Sequence, residues 1–186
     1  MILQNFLIDE NIKITLVIPD PSLKVNYYNQ PTEKLNKFDE ITINLITKKG
    51  HLELFKDILT EAILPLYVTL KNVLQNSKDE NQIEAKNAGL ILNYILKEYK
   101  DNFLSSSWVW TSSSNIVTLI YKNNNQIYLE IIPLYPWLYS KPNSNENYIS
   151  FKDFITKYKP YLTMTIPKST AQNWLFQCEE ILKEIT

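Results

Sequence analysis

The apolar positions of this chain switch between two periods, and the switches divide it into strand-forming and helix-forming stretches. In NIKITLVIPDP, Ile12, Ile14, Leu16 and Ile18 alternate with Lys13, Thr15 and Val17. That period of two predicts a strand with one row on a core face, ended by Pro19 and Pro21. Asp9, Glu10 and Asn11 read as a tight turn from a short preceding strand that contains Phe6 and Ile8. A second alternation, Ile41-Thr42-Ile43-Asn44-Leu45, follows a polar loop around Pro31. Both runs have the form of half-buried antiparallel strands; the strands of a parallel sheet are continuously apolar.

From His51 the spacing becomes three and four: Leu52, Phe55, Leu59, Ile63, Leu66, Leu70 and Leu74. This is the pattern of an amphipathic helix. Pro65 interrupts it, and because an interior proline removes a backbone bond at a cost of roughly 3 kcal/mol, a kink near Ala62 or a break into two helices is expected. The polar run QNSKDENQ links to another stripe, Ala88, Ile91, Leu92, Ile95 and Tyr99, ending near Phe103. The expectation is a long antiparallel helical hairpin over about 51–104. It packs on its own sheet or, in a homodimer, on a second subunit.

After Ser105-Ser106-Ser107 the period of two returns in WVWT, NIVTLIY and IYLEII, a meander with KNNNQ as its second turn. A three-residue turn over Asn123 to Asn125 pairs Val117, Leu119 and Tyr121 with Ile131, Leu129 and Ile127. This register is expected because it separates an apolar face from one holding Thr118, Lys122, Gln126 and Glu130. Ser150 with Asp153 opens a short helix that runs through Tyr158 and is stopped by Pro160. YLTMTI is one more strand. Ser169 or Thr170 then caps a last helix carrying Ala171, Trp174, Leu175, Cys178, Ile181, Leu182 and Ile185 on one side. The order of elements predicts one α+β domain over 1–186, with antiparallel strands packed against helices, including the hairpin and a C-terminal amphipathic helix.

Composition narrows the chemistry. With 45% hydrophobic and 21% charged residues, 186 residues suffice for one domain with a real core. The formal net charge of −1 provides no long-range field to collect nucleic acid or an anionic membrane. All 19 basic residues are lysine, so the arginine fork that grips phosphate and guanine in two places is missing. A lysine-, isoleucine- and asparagine-rich, glycine-poor composition is also what an AT-rich coding sequence produces. The single cysteine, Cys178, cannot form an internal disulfide, which fits a reducing cytoplasm. The N-terminal run MILQNFLIDENIK lacks the length and basic flank of a signal peptide, and no apolar window approaches the ~20 residues of a membrane helix.

Candidate catalytic groups are few. His51 is the only histidine, so no histidine cluster can bind zinc, and a Cys–His couple would have to join His51 to Cys178. Cys178 lies in the apolar stripe of the last helix, where a thiol is an inert packing group. Two glycines, Gly50 and Gly89, allow no phosphate loop and no dinucleotide fingerprint; Gly89 reads as a close-packing point in a helix. Asp79, Glu80, Glu84, Glu179, Glu180 and Glu184 read as solvated helix faces. Glu130 is the one acid inside an apolar strand. With Tyr128 or Thr118 it could act as a catalytic acid, but the register above makes it a solvent-facing residue beside Thr118. No cofactor and no metal is expected.

The stretch IIPLYPWLYSK carries the remaining signal. Pro133 and Pro136 prevent continued pairing, so Leu134 to Tyr139 leave the sheet as an extended segment bearing Tyr135, Trp137 and Tyr139. These aromatics either fold back onto the core or form a binding lip. Trp108 and Trp110, two residues apart in a strand, share one face and would extend that lip. The expected function is therefore a cytosolic protein-binding module contacting another protein, of which a small bacterial immunity or antitoxin-like inhibitor is one instance. The alternative is a small-molecule or carbohydrate binder with an aromatic pocket.

Overall fold

The computed structural model describes residues 2–8, 10–18, 35–75, 87–98, 107–138, 142 and 147–185. The elements follow one another as β1 (Ile2–Leu7), β2 (Lys13–Val17), β3 (Glu40–Thr47), β4 (Gly50–Ile58), α1 (Leu59–Gln75), α2 (Ala88–Lys97), β5 (Trp108–Thr111), β6 (Ile116–Asn123), β7 (Gln126–Pro133), α3 (Phe151–Thr156), β8 (Leu162–Ile166) and α4 (Lys168–Ile185). The strands form two antiparallel four-stranded sheets, ordered β1-β2-β3-β4 and β5-β6-β7-β8. The architecture is α+β, as expected.

The first sheet obeys the alternation of its sequence. Phe6, Ile14, Leu16, Ile41, Ile43 and Leu45 are buried on one face, while Thr42 and Lys56 pair on the other. Residues 51–58, however, are strand and not helix. A tight turn at Lys48-Lys49, closed by the Thr47 hydroxyl and by Gly50 at φ 133°, returns the chain directly onto β3. The helix-like spacing of Leu52, Phe55 and Leu59 arises from a register shift. Asn44 pairs with Glu53 but Ile43 pairs with Phe55, so Leu54 is inserted between them and buried.

Helix α1 begins only at Leu59. Its first free N–H groups donate to carbonyls of the loop before β3, Leu59 to Asp39 at 2.8 Å and Thr60 to Lys37 at 3.2 Å. The helix passes through Pro65 as one element, so of the two expected outcomes, a kink or a break, the break does not occur. Pro65 withholds an N–H from the carbonyl of Glu61, which lies on the exposed side where water can replace it. The neighbouring Ala62 carbonyl accepts the indole N–H of Trp110 at 2.8 Å in the interior. A donor from another element thus serves the turn that proline weakens.

The expected hairpin does not form. α1 packs against α4, and with the inner face of the first sheet and one face of the second it encloses a large core that includes Val109, Trp110, Ile116, Ile120, Leu129 and Trp174. α2 instead lies on the opposite face of the second sheet, where Ala88, Leu92 and Leu96 join a separate cluster with Val117, Leu119, Tyr121, Ile132 and Tyr135. The reason is the second sheet itself, whose central strands are buried on both faces and need cover on both sides. The predicted link QNSKDENQ falls mostly outside the described residues.

Burial of both faces also overturns the expected β6–β7 register. The turn has two residues, Asn124 and Asn125, at φ 48° and 62°, and it pairs Val117 with Ile132, Leu119 with Glu130 and Tyr121 with Tyr128. Paired positive φ values define the mirror-image turn that matches strand twist, and asparagine tolerates them. A three-residue turn requires one apolar and one solvated face, and these strands are buried on both.

The later elements follow the sequence closely. Ser150 caps α3, its hydroxyl oxygen accepting the Asp153 N–H at 3.1 Å. β8 pairs with β7, and α4 buries Ala171, Trp174, Cys178 and Ile181. Its first residue is Lys168, so Ser169 and Thr170 lie within the first turn and do not cap it. Trp174 meets Phe6 edge-on at 5.7 Å, which joins the last helix to the first strand.

Trp110→Phe keeps the ring but leaves the buried Ala62 carbonyl without its indole donor. Stability should fall by about 1–3 kcal/mol, read as a lower urea midpoint at unchanged slope. Burial pushes the Cys178 thiol up to about 12, so it should resist a thiol reagent at pH 8 in the native protein and react fully once unfolded.

Candidate functional site

The exit of β7 is built around one buried amide. Asn93 of α2 is fully buried, and its Nδ2 donates to the Gly89 carbonyl at 2.9 Å and to the Pro133 carbonyl at 3.1 Å. Its Oδ1 accepts the Tyr135 N–H at 2.8 Å. Pro133 is the last paired residue of β7, and Leu134 donates to the Asn115 carbonyl at 2.7 Å. The segment that leaves the sheet is therefore held back against α2, with Leu134, Tyr135 and Leu138 buried and Pro136 exposed.

The aromatics singled out in the sequence go to different places. Tyr135 is 2% exposed, and its hydroxyl donates to the Ile149 carbonyl at 3.1 Å. Burial first, and then the neighbouring Tyr148 hydroxyl, push its phenol up to about 12. Trp137 is half-buried, in edge contact with Tyr135 at 5.7 Å and Tyr148 at 5.3 Å. Tyr139 lies outside the described residues. Trp108 and Trp110 do not share a face. Trp108 pairs with Leu119 and Trp110 with Thr118, so a bulge at Val109 turns the two rings to opposite sides. Trp108 packs on the second cluster, its indole N–H donating to the Thr111 hydroxyl at 2.7 Å. Trp110 is 1% exposed, inside the first core.

What the structure gathers at the surface is a different aromatic set. Tyr94, Tyr148 and Ile149 are 45%, 57% and 42% exposed. Beneath them lie Trp137 and Phe151, with Phe151 edge-on to Tyr94 at 5.5 Å and to Tyr135 at 5.2 Å. The Lys97 ammonium sits 5.4 Å above the Tyr135 ring and 6.0 Å from the Phe151 ring. This ledge is assembled from α2, the β7 exit and the start of α3. Tyr94 could have been found from sequence, because it falls off the stripe of Ala88, Leu92 and Ile95 and so faces outward.

Glu130 is not solvent-facing. It is 1% exposed, on the face of the second sheet covered by α2, with its carboxylate accepting the Tyr121 hydroxyl at 2.7 Å and the Gly89 N–H at 3.1 Å. Thr118 points into the other core, so the expected pairing with it is absent. Burial raises the Glu130 carboxyl above its ordinary 4.5, against the opposing pull of the two hydrogen bonds. Gly89 is the close-packing point its sequence context predicts. A methyl group there would collide with the Tyr158 hydroxyl and the Ile132 side chain, so the space in front of Gly89 is already filled by side chains. Cys178 is the inert packing group its stripe predicts, buried in α4, while His51 is exposed on β4, so the one Cys–His couple the sequence allows does not form.

An open cleft of about 580 Å³ lies away from the ledge, at the end of α1, the β6–β7 turn and the start of α4. Val73, Leu74, Ile127 and Ile166 line it together with Lys122 and Lys168, and no aromatic side chain contributes. Among the described residues no cluster of His, Cys, Asp or Glu could hold a metal ion, and no helix is long and apolar enough to cross a membrane. No protein-family model, curated protein or solved structure matches the chain.

Gly89→Ala should destabilise the protein by about 1–3 kcal/mol through overpacking, although alanine is the better helix former. Thermal unfolding of the variant beside an Ala88→Gly control measures it.

Proposed function

We propose that the chain is a cytosolic protein-binding module whose partner docks on the ledge of Tyr94, Trp137, Tyr148, Ile149 and Phe151. The observation that carries this reading is the exposure of Tyr94, Tyr148 and Ile149 above a rigid floor of interlocked rings. Protein interfaces concentrate aromatic side chains of this kind, because they bury much area at small entropic cost and keep a polar tip for a hydrogen bond. Lys97, held over the rings, adds one cation at the rim. An inhibitor of the immunity or antitoxin kind, which acts by occupying its target, fits this description.

The double variant Tyr94→Ser, Tyr148→Ser tests the reading, because both side chains are exposed and their loss should leave the thermal midpoint nearly unchanged. A stoichiometric partner recovered from native lysate should bind the variant about thirtyfold more weakly, the effect of about 2 kcal/mol expected at an interface hot spot. Phe176→Ser, an exposed aromatic on α4, serves as the control. Equal affinity for all three proteins would remove the ledge as the docking surface.

A second reading uses the cleft. A small molecule with an aliphatic body could rest on Val73, Leu74, Ile127 and Ile166. Ligand screening by thermal shift would support it through a hit that Ile127→Ser abolishes, with the ledge variant unaffected.

A further inference from the structure

Glu130 stands where three elements meet. One carboxylate oxygen receives the N–H of Gly89, the second residue of α2, whose cap residue Asn87 makes no side-chain cap bond. The other receives the hydroxyl of Tyr121 on β6. The strand-borne acid thus does for α2 what an N-cap side chain ordinarily does, satisfying a first-turn donor and facing the positive end of the helix. Across Gly89 lies the hydroxyl of Tyr158, just after α3, which is buried with no hydrogen-bond partner and whose ionisation is pushed upward by burial first and then by the charge of Glu130.

We infer that Glu130 is a proton-operated latch: protonated, it holds α2 and the segment after α3 closed on β7, and on ionising it loosens both. The inference bears on the ledge of the proposed function, since α2 supplies Tyr94 and Lys97 and α3 supplies Phe151.

The surroundings of the carboxyl give the latch its direction. From β6 it faces Tyr121; from β7 the neighbouring Tyr128, stacked on Tyr121 at 5.4 Å with its own hydroxyl committed to Gln126; from α2 only the backbone of Gly89; and from beyond α3, Tyr158. Among the described residues no cation enters its surroundings. A carboxylate 1% exposed is costly, and that cost outweighs the opposing pull of its two donors, the first turn of α2 among them, whereas the neutral acid keeps both accepted hydrogen bonds and has an O–H to offer the partnerless Tyr158 hydroxyl. The folded carboxyl therefore holds its proton to higher pH than the unfolded one. Closure is complete below the ordinary carboxylate range near 4.5 and weakens as pH rises through the elevated folded value.

Hydrogen exchange on the full chain tests this without any partner, so its outcome is separate from that of the binding experiment. Protection of the amides from Gly89 to Asn93, corrected for intrinsic exchange, should fall about tenfold or more between pH 5 and pH 8, while amides of α4 hold steady. Glu130→Gln should abolish the pH dependence in α2, and Tyr158→Phe, which removes the orphaned hydroxyl, should move its midpoint. Exposed Glu98→Gln should behave as the parent. α2 protection that tracks α4 across the range would overturn the latch. If Glu130→Gln does not fold, Tyr158→Phe decides, and an unmoved midpoint sinks the inference.

Discussion

Among the described residues, the ladder between β6 and β7 is the part buried on both faces, and the other elements are arranged around that requirement. Along β7, Ile127, Leu129 and Ile131 belong to the core shared with α1, α4 and the first sheet. Tyr128 and Ile132 belong to the core under α2, with Glu130 between them. Because side chains alternate strictly, a slip of one residue would exchange these two sets and drive the carboxylate into the larger core. Asn124 and Asn125 guard against that slip, since a two-residue turn with two positive φ values permits only one pairing of the strands.

Polar groups as well as apolar packing attach the smaller core. α2 is ten residues long, too short to persist alone, and a single amide, Asn93, links it both to the end of β7 and to the backbone of Tyr135. With its side chain fully buried and all three contacts made, this amide has few alternative arrangements. The aromatic rings of the ledge then stack outward from a fixed base, which is why they keep defined edge-to-face contacts at the surface.

Much of this was legible in the chain and some was not, for identifiable physical reasons. The alternation of β2 and β3, the Ser150 cap and the stripe of α4 each express a local rule that tertiary packing does not oppose. The errors cluster where packing adds a constraint that no local rule contains. Residues 51–58 imitate a helix because a bulge at Leu54 disturbs their alternation, although Leu52 and Leu54 after the turn at Lys48-Lys49 held the correct signal. The tandem stripes of α1 and α2 resemble a hairpin because amphipathic helices look alike whether they cover one another or opposite faces of a sheet. Glu130 was misplaced by the reasonable assumption that an acid in a strand faces water, and the register followed that error. Of the ledge, Trp137 was indicated by its prolines, while Tyr148 and Phe151 join it only through the return of the chain at α3.

The register shifts within the sheets have one more consequence. β1 and β4 form the two edges of the first sheet and β5 one edge of the second, and each belongs to a ladder with a register shift: near Ile2 to Gln4, at Leu54 and at Val109. A bare edge offers evenly spaced N–H and C=O groups to any passing strand, which is how sheet proteins join into open-ended stacks. An extra residue spoils that spacing and increases the local twist. The same irregularity that parts Trp108 from Trp110 makes the β5 border of the second sheet a poor template for another copy, a safeguard of value in a molecule with eight described strands and little net charge to keep copies apart.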